Sequence, residues 1–226
     1  MRSTSKFLAL ALATALQPAV AAVTPISLDF EDITGSTYPD GVLELLNHYS
    51  GVEFKGASWG VANLGCDGIA DFVERNGKCS GFLLAGDPSK PTPVPTPAQT
   101  ATIDIASGFI SGSSLYYSAL VNSGVTITAF EGLDGTGRSF SSGRLQSGGC
   151  QQSNGFCDWF RLDFALGDVV AHSLVITGRD SSVMLDDLSF LPTDVTQPGA
   201  LPEPAGLALS LAALGALGWA RKRTVR

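Results

Sequence analysis

Histidine is nearly absent from this chain of 226 residues, with only His48 and His172 present. A Ser/His/Asp hydrolase needs a base that is held by a third group beside its nucleophile. His172 begins a strand-like run beside Ser173, and His48 lies in a turn beside Tyr49. Neither is accompanied by a Gly-x-Ser-x-Gly elbow. Two scattered histidines also argue against a clustered Cys/His zinc site. Charge is sparse, at 15% of residues, and basic charge is the scarcer sign: 14 Lys and Arg stand against 21 Asp and Glu. No basic patch exists, which argues against phosphate and nucleic-acid binding. No long amphipathic helical stretch appears. Paired carboxylates of glycosidase type stay open, because such partners need not be close in sequence and nothing singles out a pair.

Long apolar runs occur only at the two ends. Arg2 and Lys6 precede Phe7 to Leu16, and Pro18 then leads to Ala19-Val20-Ala21-Ala22. This is the order of a secretory signal peptide spanning residues 1–22, cleaved after Ala21 or Ala22. At the other end, residues 205–220 form an uncharged run followed by a basic end, 221–226. As a single hydrophobic helix it would reach about 24 Å. That is slightly short for a hydrocarbon core of about 30 Å. Trp219 sits where an interfacial aromatic would sit, and Arg221, Lys222 and Arg223 would hold the end in the cytoplasm.

Pro202-Glu203-Pro204, the short apolar helix and the Arg221-Lys222-Arg223 cluster together resemble the PEP-CTERM sorting signal of Gram-negative exported proteins. Leu201 stands where the usual pattern has Val. The resemblance covers residues 201–226 only. It implies a transient stay in the inner membrane through the C-terminal helix. It also implies a passing encounter with an exosortase, a membrane cysteine protease, and release to the cell surface or beyond.

Without both ends, about 178 residues remain, enough for one domain with a real core. Eight basic and twenty acidic residues stay in this body, so its formal charge is about −12. Such a surface repels nucleic acid and anionic lipid and suits divalent cations. All four cysteines lie in it: Cys66, Cys79, Cys150 and Cys157. In an exported chain they read as two disulfides. Three connectivities are open; proximity favours Cys66–Cys79 and Cys150–Cys157.

Strand-like runs dominate residues 23–190. Ile26–Glu31 alternates apolar and polar, as does a run from Gly51 through Phe54 to about Trp59. Further runs are Gly81–Gly86, Ala101–Ala106, Ser114–Val121, Val125–Phe130, Arg138–Leu145, Asp158–Phe164, His172–Thr177 and Val183–Phe190. Gly-containing turns punctuate them, and Asp134-Gly135 reads as a hairpin tip. Val42–Tyr49 reads as one or two helical turns. The proline-rich stretch 87–99 reads as a surface loop within one domain. These features predict an all-β fold, an antiparallel β-sandwich of jelly-roll type. Residues 191–200, rich in Pro and Thr, read as a linker before the tail.

The best candidate site joins the first and last strands. Alternation places Met184, Asp186, Leu188 and Phe190 on one face, so Asp186 faces inward among apolar neighbours. A buried carboxylate is costly unless it is paired or bound to a cation. A Phe-Glu first strand and an Asp-Asp last strand resemble jelly-roll carbohydrate-binding modules, where such strands meet at a structural calcium. The resemblance implies a Ca²⁺ held by Glu31, Asp186 and Asp187, since hard oxygen ligands suit that ion. The competing reading has these carboxylates capping turns or pairing with Arg161 or Arg179. Of the adjacent aromatic pairs Tyr116-Tyr117 and Trp159-Phe160, one member each should be core. The expectation is a non-enzymatic exported surface or matrix protein that binds extracellular polysaccharide. The rival is a secreted polysaccharide hydrolase with unassigned carboxylates.

Overall fold

The computed structural model describes residues 24–34, 41–63, 65, 68, 70–75, 79–87, 97–121, 123–148 and 155–193. Among them the strands are β1 (Ile26–Leu28), β2 (Val42–Glu44), β3 (Val52–Gly56), β4 (Ser58–Ala62), β5 (Ser80–Leu84) and β6 (Ala98–Phe109). They continue with β7 (Ser114–Ala119), β8 (Thr126–Phe130), β9 (Ser139–Arg144), β10 (Phe160–Asp163), β11 (Ala171–Arg179) and β12 (Val183–Phe190). A seven-stranded sheet runs β10-β7-β12-β5-β4-β2, with β1 also on β12, and a five-stranded sheet runs β3-β6-β11-β8-β9. Every pairing of named strands is antiparallel. This is a β-sandwich, with its main core between the sheets.

The period-2 pattern explains why these segments pair as they do. On β6, Ala101, Ile103 and Ile105 are fully buried, while Thr100 and Thr102, which alternate with them, face outward. β11 answers with Leu174 and Ile176, and β8 with Ile127 and Ala129. The facing sheet supplies Phe82, Leu84, Leu115, Tyr117, Leu185, Leu188 and Phe190 to the same cluster. Rings run along this layer. Phe54 lies 6.2 Å from Phe82, and Phe109 lies 5.6 Å from Phe164 and 5.1 Å from Phe190. Such pairs add about 0.5–1.5 kcal/mol each beyond simple burial. A smaller cluster lies on the outer face of the seven-stranded sheet. Val61, Leu83 and Met184 come from the strands, and Ala70, Phe72 and Phe156 from two loops laid across them.

Three local expectations change. Val42–Glu44 is strand rather than helix, because it finds a partner: Val42, Leu43 and Glu44 pair with Val61, Gly60 and Trp59. The run expected from Gly51 to Trp59 is two strands in different sheets. Gly56, at φ +74°, turns the corner between β3 and β4, and a Cβ there would lie 2.5 Å from the Thr100 carbonyl oxygen. A sandwich makes such corners where a strand changes sheets. The chain also stays attached past β12. Ile110 N–H donates to the Leu191 carbonyl at 3.0 Å, and the Thr193 hydroxyl donates to the Ser107 carbonyl at 3.0 Å. The expected linker therefore begins with residues still bonded to the sandwich.

Alternation on β12 is corrected too. Its register against β7 shifts between Asp186 and Ser189, and Asp187 takes a positive φ of 44°. This bulge adds one residue, and a one-residue shift moves every later side chain to the other face. Leu188 and Phe190 therefore join Val183 and Leu185 in the main core, while Met184 belongs to the outer cluster. Asp186 is buried, as expected, but with Met184 on the outer face and not with Leu188 and Phe190.

Candidate functional site

Asp186 and Asp187 lie where one edge of β12 changes partner. Met184 and Leu185 pair with β5, whereas Leu188, Ser189 and Phe190 pair with β1. The bulge between them needs its own hydrogen bonds, and the Asp187 N–H donates to Asp186 Oδ1 at 2.7 Å. The cation that meets these carboxylates is Arg75, from the loop before β5. Its Nε lies 3.5 Å from Asp186 Oδ2, and its Nη2 contacts Asp187 Oδ2. Its guanidinium lies 3.8 Å above the ring of Tyr116, the residue of β7 opposite Asp186. A planar, weakly hydrated guanidinium can lie flat on a ring while its in-plane N–H groups reach two carboxylates, a geometry that a compact ammonium does not reproduce. The Arg75 side chain is 13% exposed and that of Asp186 2%.

Neither expected arginine is the partner seen here. Arg161 contacts its strand neighbour Asp163 at 2.8 Å near the surface. Arg179, at the end of β11, is exposed. Glu31 follows β1 by three residues and is partly buried. The three carboxylates are hard-oxygen donors of the kind Ca²⁺ takes. One oxygen of each aspartate in β12, Oδ2, faces the Arg75 guanidinium.

The aromatic pairs divide as alternation predicts. Tyr117 and Phe160 pack in or against the main core, 5.6 Å apart. Tyr116 carries Arg75, and the indole N–H of Trp159 donates to the Val73 carbonyl at 2.7 Å. The outer face of this sheet therefore spends its rings on holding its own loops. Cys79 and Cys157, beside those loops, are each disulfide-bonded. Cys66 and Cys150 lie outside the described residues, as do Pro202, Glu203, Pro204, Arg221, Lys222, Arg223 and the leader.

A second charged cluster, which sequence reasoning missed, lies on the outer face of the other sheet. Lys55 on β3 donates to Asp104 Oδ2 at 2.7 Å and to Asp134 Oδ1 at 2.5 Å, and lies 3.2 Å from Glu53. Asp104 is 3% exposed, because the loop between β8 and β9 covers it. The Asp134 N–H donates to its other oxygen at 2.9 Å. Asp134-Gly135 is the hairpin tip the sequence predicted, with Asp134 left-handed at φ 57°. Ser173 ties the same loop down: its hydroxyl donates to the Gly132 carbonyl at 2.7 Å and accepts the Gly135 N–H at 3.0 Å. The hydrogen bonds that Lys55 donates to Asp104 and Asp134 raise its ammonium above the usual lysine range. The bond from Lys55 holds Asp134 below the usual carboxylate range.

Beside this cluster is a cavity of about 270 Å³ whose lining includes Asn47, Tyr49, Glu53, Asp104, Ala106 and Leu133. One wall is braced from behind. Tyr49 donates to Asp32 Oδ1 at 2.8 Å, His48 Nε2 contacts Asp32 Oδ2, and the Tyr49 ring packs edge-on to Phe30 at 5.6 Å. Burial works against ionisation of Asp32, but the His48 and Tyr49 bonds outweigh it and lower its pKa. His48 thus meets the Asp32 carboxylate, and its ring packs edge-on to Tyr49 at 4.7 Å. His172 Nδ1 meets the Glu131 carbonyl oxygen at 2.7 Å, a structural contact on the β8–β9 loop. No family model matches this chain, and no curated protein matches it either.

Proposed function

We propose that this is an exported, non-enzymatic β-sandwich that works at the cell surface or in extracellular polysaccharide as a binding or matrix component. The observation that carries the reading is how the buried acids are used. Asp186 and Asp104 each meet a cation from another element and hydrogen-bond a neighbouring backbone N–H. Buried Asp180 accepts the Gly86 N–H at 2.6 Å. These carboxylates hold loops in place and are not offered to a scissile bond.

Strand order supports the finer, jelly-roll reading. The last eight strands divide into β5-β12-β7-β10 facing β6-β11-β8-β9, two four-stranded layers of the kind that double Greek keys produce. For the cysteines, the reading pairs Cys66 with Cys79 and Cys150 with Cys157. The Asn63 N–H donates to the Cys79 carbonyl at 2.6 Å, which brings Cys79 back to the start of the segment that holds Cys66. The route is leader export, a stay in the inner membrane through the C-terminal helix, and cleavage by an exosortase near Pro202-Glu203-Pro204.

A hydrolase remains the second reading on one observation. Glu53 and Asp104 are directly opposite on β3 and β6 beside the cavity. Side chains so placed start about 4.5–5.5 Å apart at Cβ, near the carboxylate spacing of retaining glycosidases, about 5–5.5 Å. Lys55 engages both. Incubation with polysaccharide separates the readings: binding without new reducing ends supports the first, and release of reducing ends that Glu53→Gln abolishes supports the second.

A further inference from the structure

The cavity between the segment 47–53 and Leu133 has a chemistry that none of the structural contacts accounts for. Its two sides come from separate elements, each fixed from behind. Tyr49 is held by Asp32 and by the rings of Phe30 and Phe54, the latter 6.2 Å away. Leu133 begins the 3-10 turn Leu133–Gly135, whose next residue is pinned to Asp104 and Lys55. Leu133 nevertheless remains 44% exposed, one of four large apolar side chains so exposed among the described residues. Here an aliphatic surface is held rigidly at the rim of a hollow, where burying it against the loop's own residues was the alternative. Asn47 and Glu53, both exposed, add an amide and a carboxylate to the same rim.

We propose that this hollow binds one pyranose unit of a neutral polysaccharide. A sugar ring offers an apolar C–H face and a girdle of hydroxyls, and the lining matches both. Tyr49, Ala106 and Leu133 receive the face, while Asn47 and Glu53 exchange hydrogen bonds with the hydroxyls. The volume of about 270 Å³ is near the lower end for ligand pockets, about 300 Å³, and suits one ring rather than a long segment. Charge selects against the alternatives. Glu53, Asp104 and Asp134 outnumber Lys55 at this rim, and the body of the chain is acidic. Polymers bearing uronate, sulfate or phosphate are repelled. Asp104 contributes field only, since both its oxygens are already engaged.

This inference rests on the binding reading above, and the experiment separates the two. Purified exported protein is titrated by calorimetry with neutral hexose oligosaccharides and with uronate-containing ones, as wild type and as Leu133→Ala, Asn47→Ala and Glu53→Gln. Melting temperature is recorded for each variant. The proposal expects binding of a neutral oligosaccharide, about tenfold or greater weakening in each variant, unchanged melting temperatures and no response to uronates. Neutral binding that survives all three substitutions overturns this site and leaves the binding reading standing. Preference for the uronate series overturns the charge argument. Failure to bind any oligosaccharide overturns both.

Discussion

Lys55 shows how a single side chain sets a pH window. Its pKa is raised, so its contribution is complete below the ordinary lysine value and is lost as pH rises through the folded one. The pKa of Asp134 is lowered, so its contribution is complete above the ordinary aspartate value and is lost as pH falls through the folded one. Asp32, lowered on balance by His48 and Tyr49, adds to the acid limb. The two signs together predict a stability plateau between about pH 4 and pH 10, falling on either side. Melting curves across pH 2–12 should show it, and Lys55→Met should remove the alkaline limb attributable to this cluster. Part of this was legible. Ile103 and Ile105 point inward, so Asp104 between them had to face outward. Its burial was not legible, because the cover comes from the loop between β8 and β9, and nothing near Asp104 in sequence announces it.

At the scale of elements, the Arg75 loop and β12 depend on one another. Removing one partner of a buried ion pair costs about 3–5 kcal/mol, because the remaining charge is stranded. Arg75→Ala is therefore expected to destabilise the fold by about 3 kcal/mol in chemical denaturation, with Arg75→Lys recovering only part. Chelation should leave the wild-type melting temperature unchanged. A drop on chelation would mean that calcium, and not the guanidinium, neutralises Asp186 and Asp187. Alternation correctly marked Asp186 as a buried carboxylate needing a partner. It chose the wrong face because a bulge at Asp187 cannot be seen in a period-2 pattern, and the wrong arginines because Arg75 sits in a loop with no periodicity to place it. Most strands were visible from alternation and glycine punctuation. The break at Gly56 was not, since apolar residues continue on both sides of it while the chain passes from one sheet to the other.

For the whole molecule, the sandwich lies within one compact unit, Val23–Val195. The proposed route treats this body as cargo that is handled by its ends. Intact-mass analysis of the exported protein should then find loss of the leader, loss of residues beyond the Pro-Glu-Pro region and no alkylatable thiol. A full-length C-terminus or free thiols would count against the sorting route and the paired cysteines respectively. The decisive claim concerns what the body does on arrival: its buried acids brace the fold, and its open hollow holds sugar without cutting it. The most direct measurement follows glycan retention and new reducing ends in the same sample of exported protein and neutral polysaccharide. The account predicts retention with no reducing ends above the protein-free control. Reducing ends that accumulate with time and vanish in Glu53→Gln would contradict it.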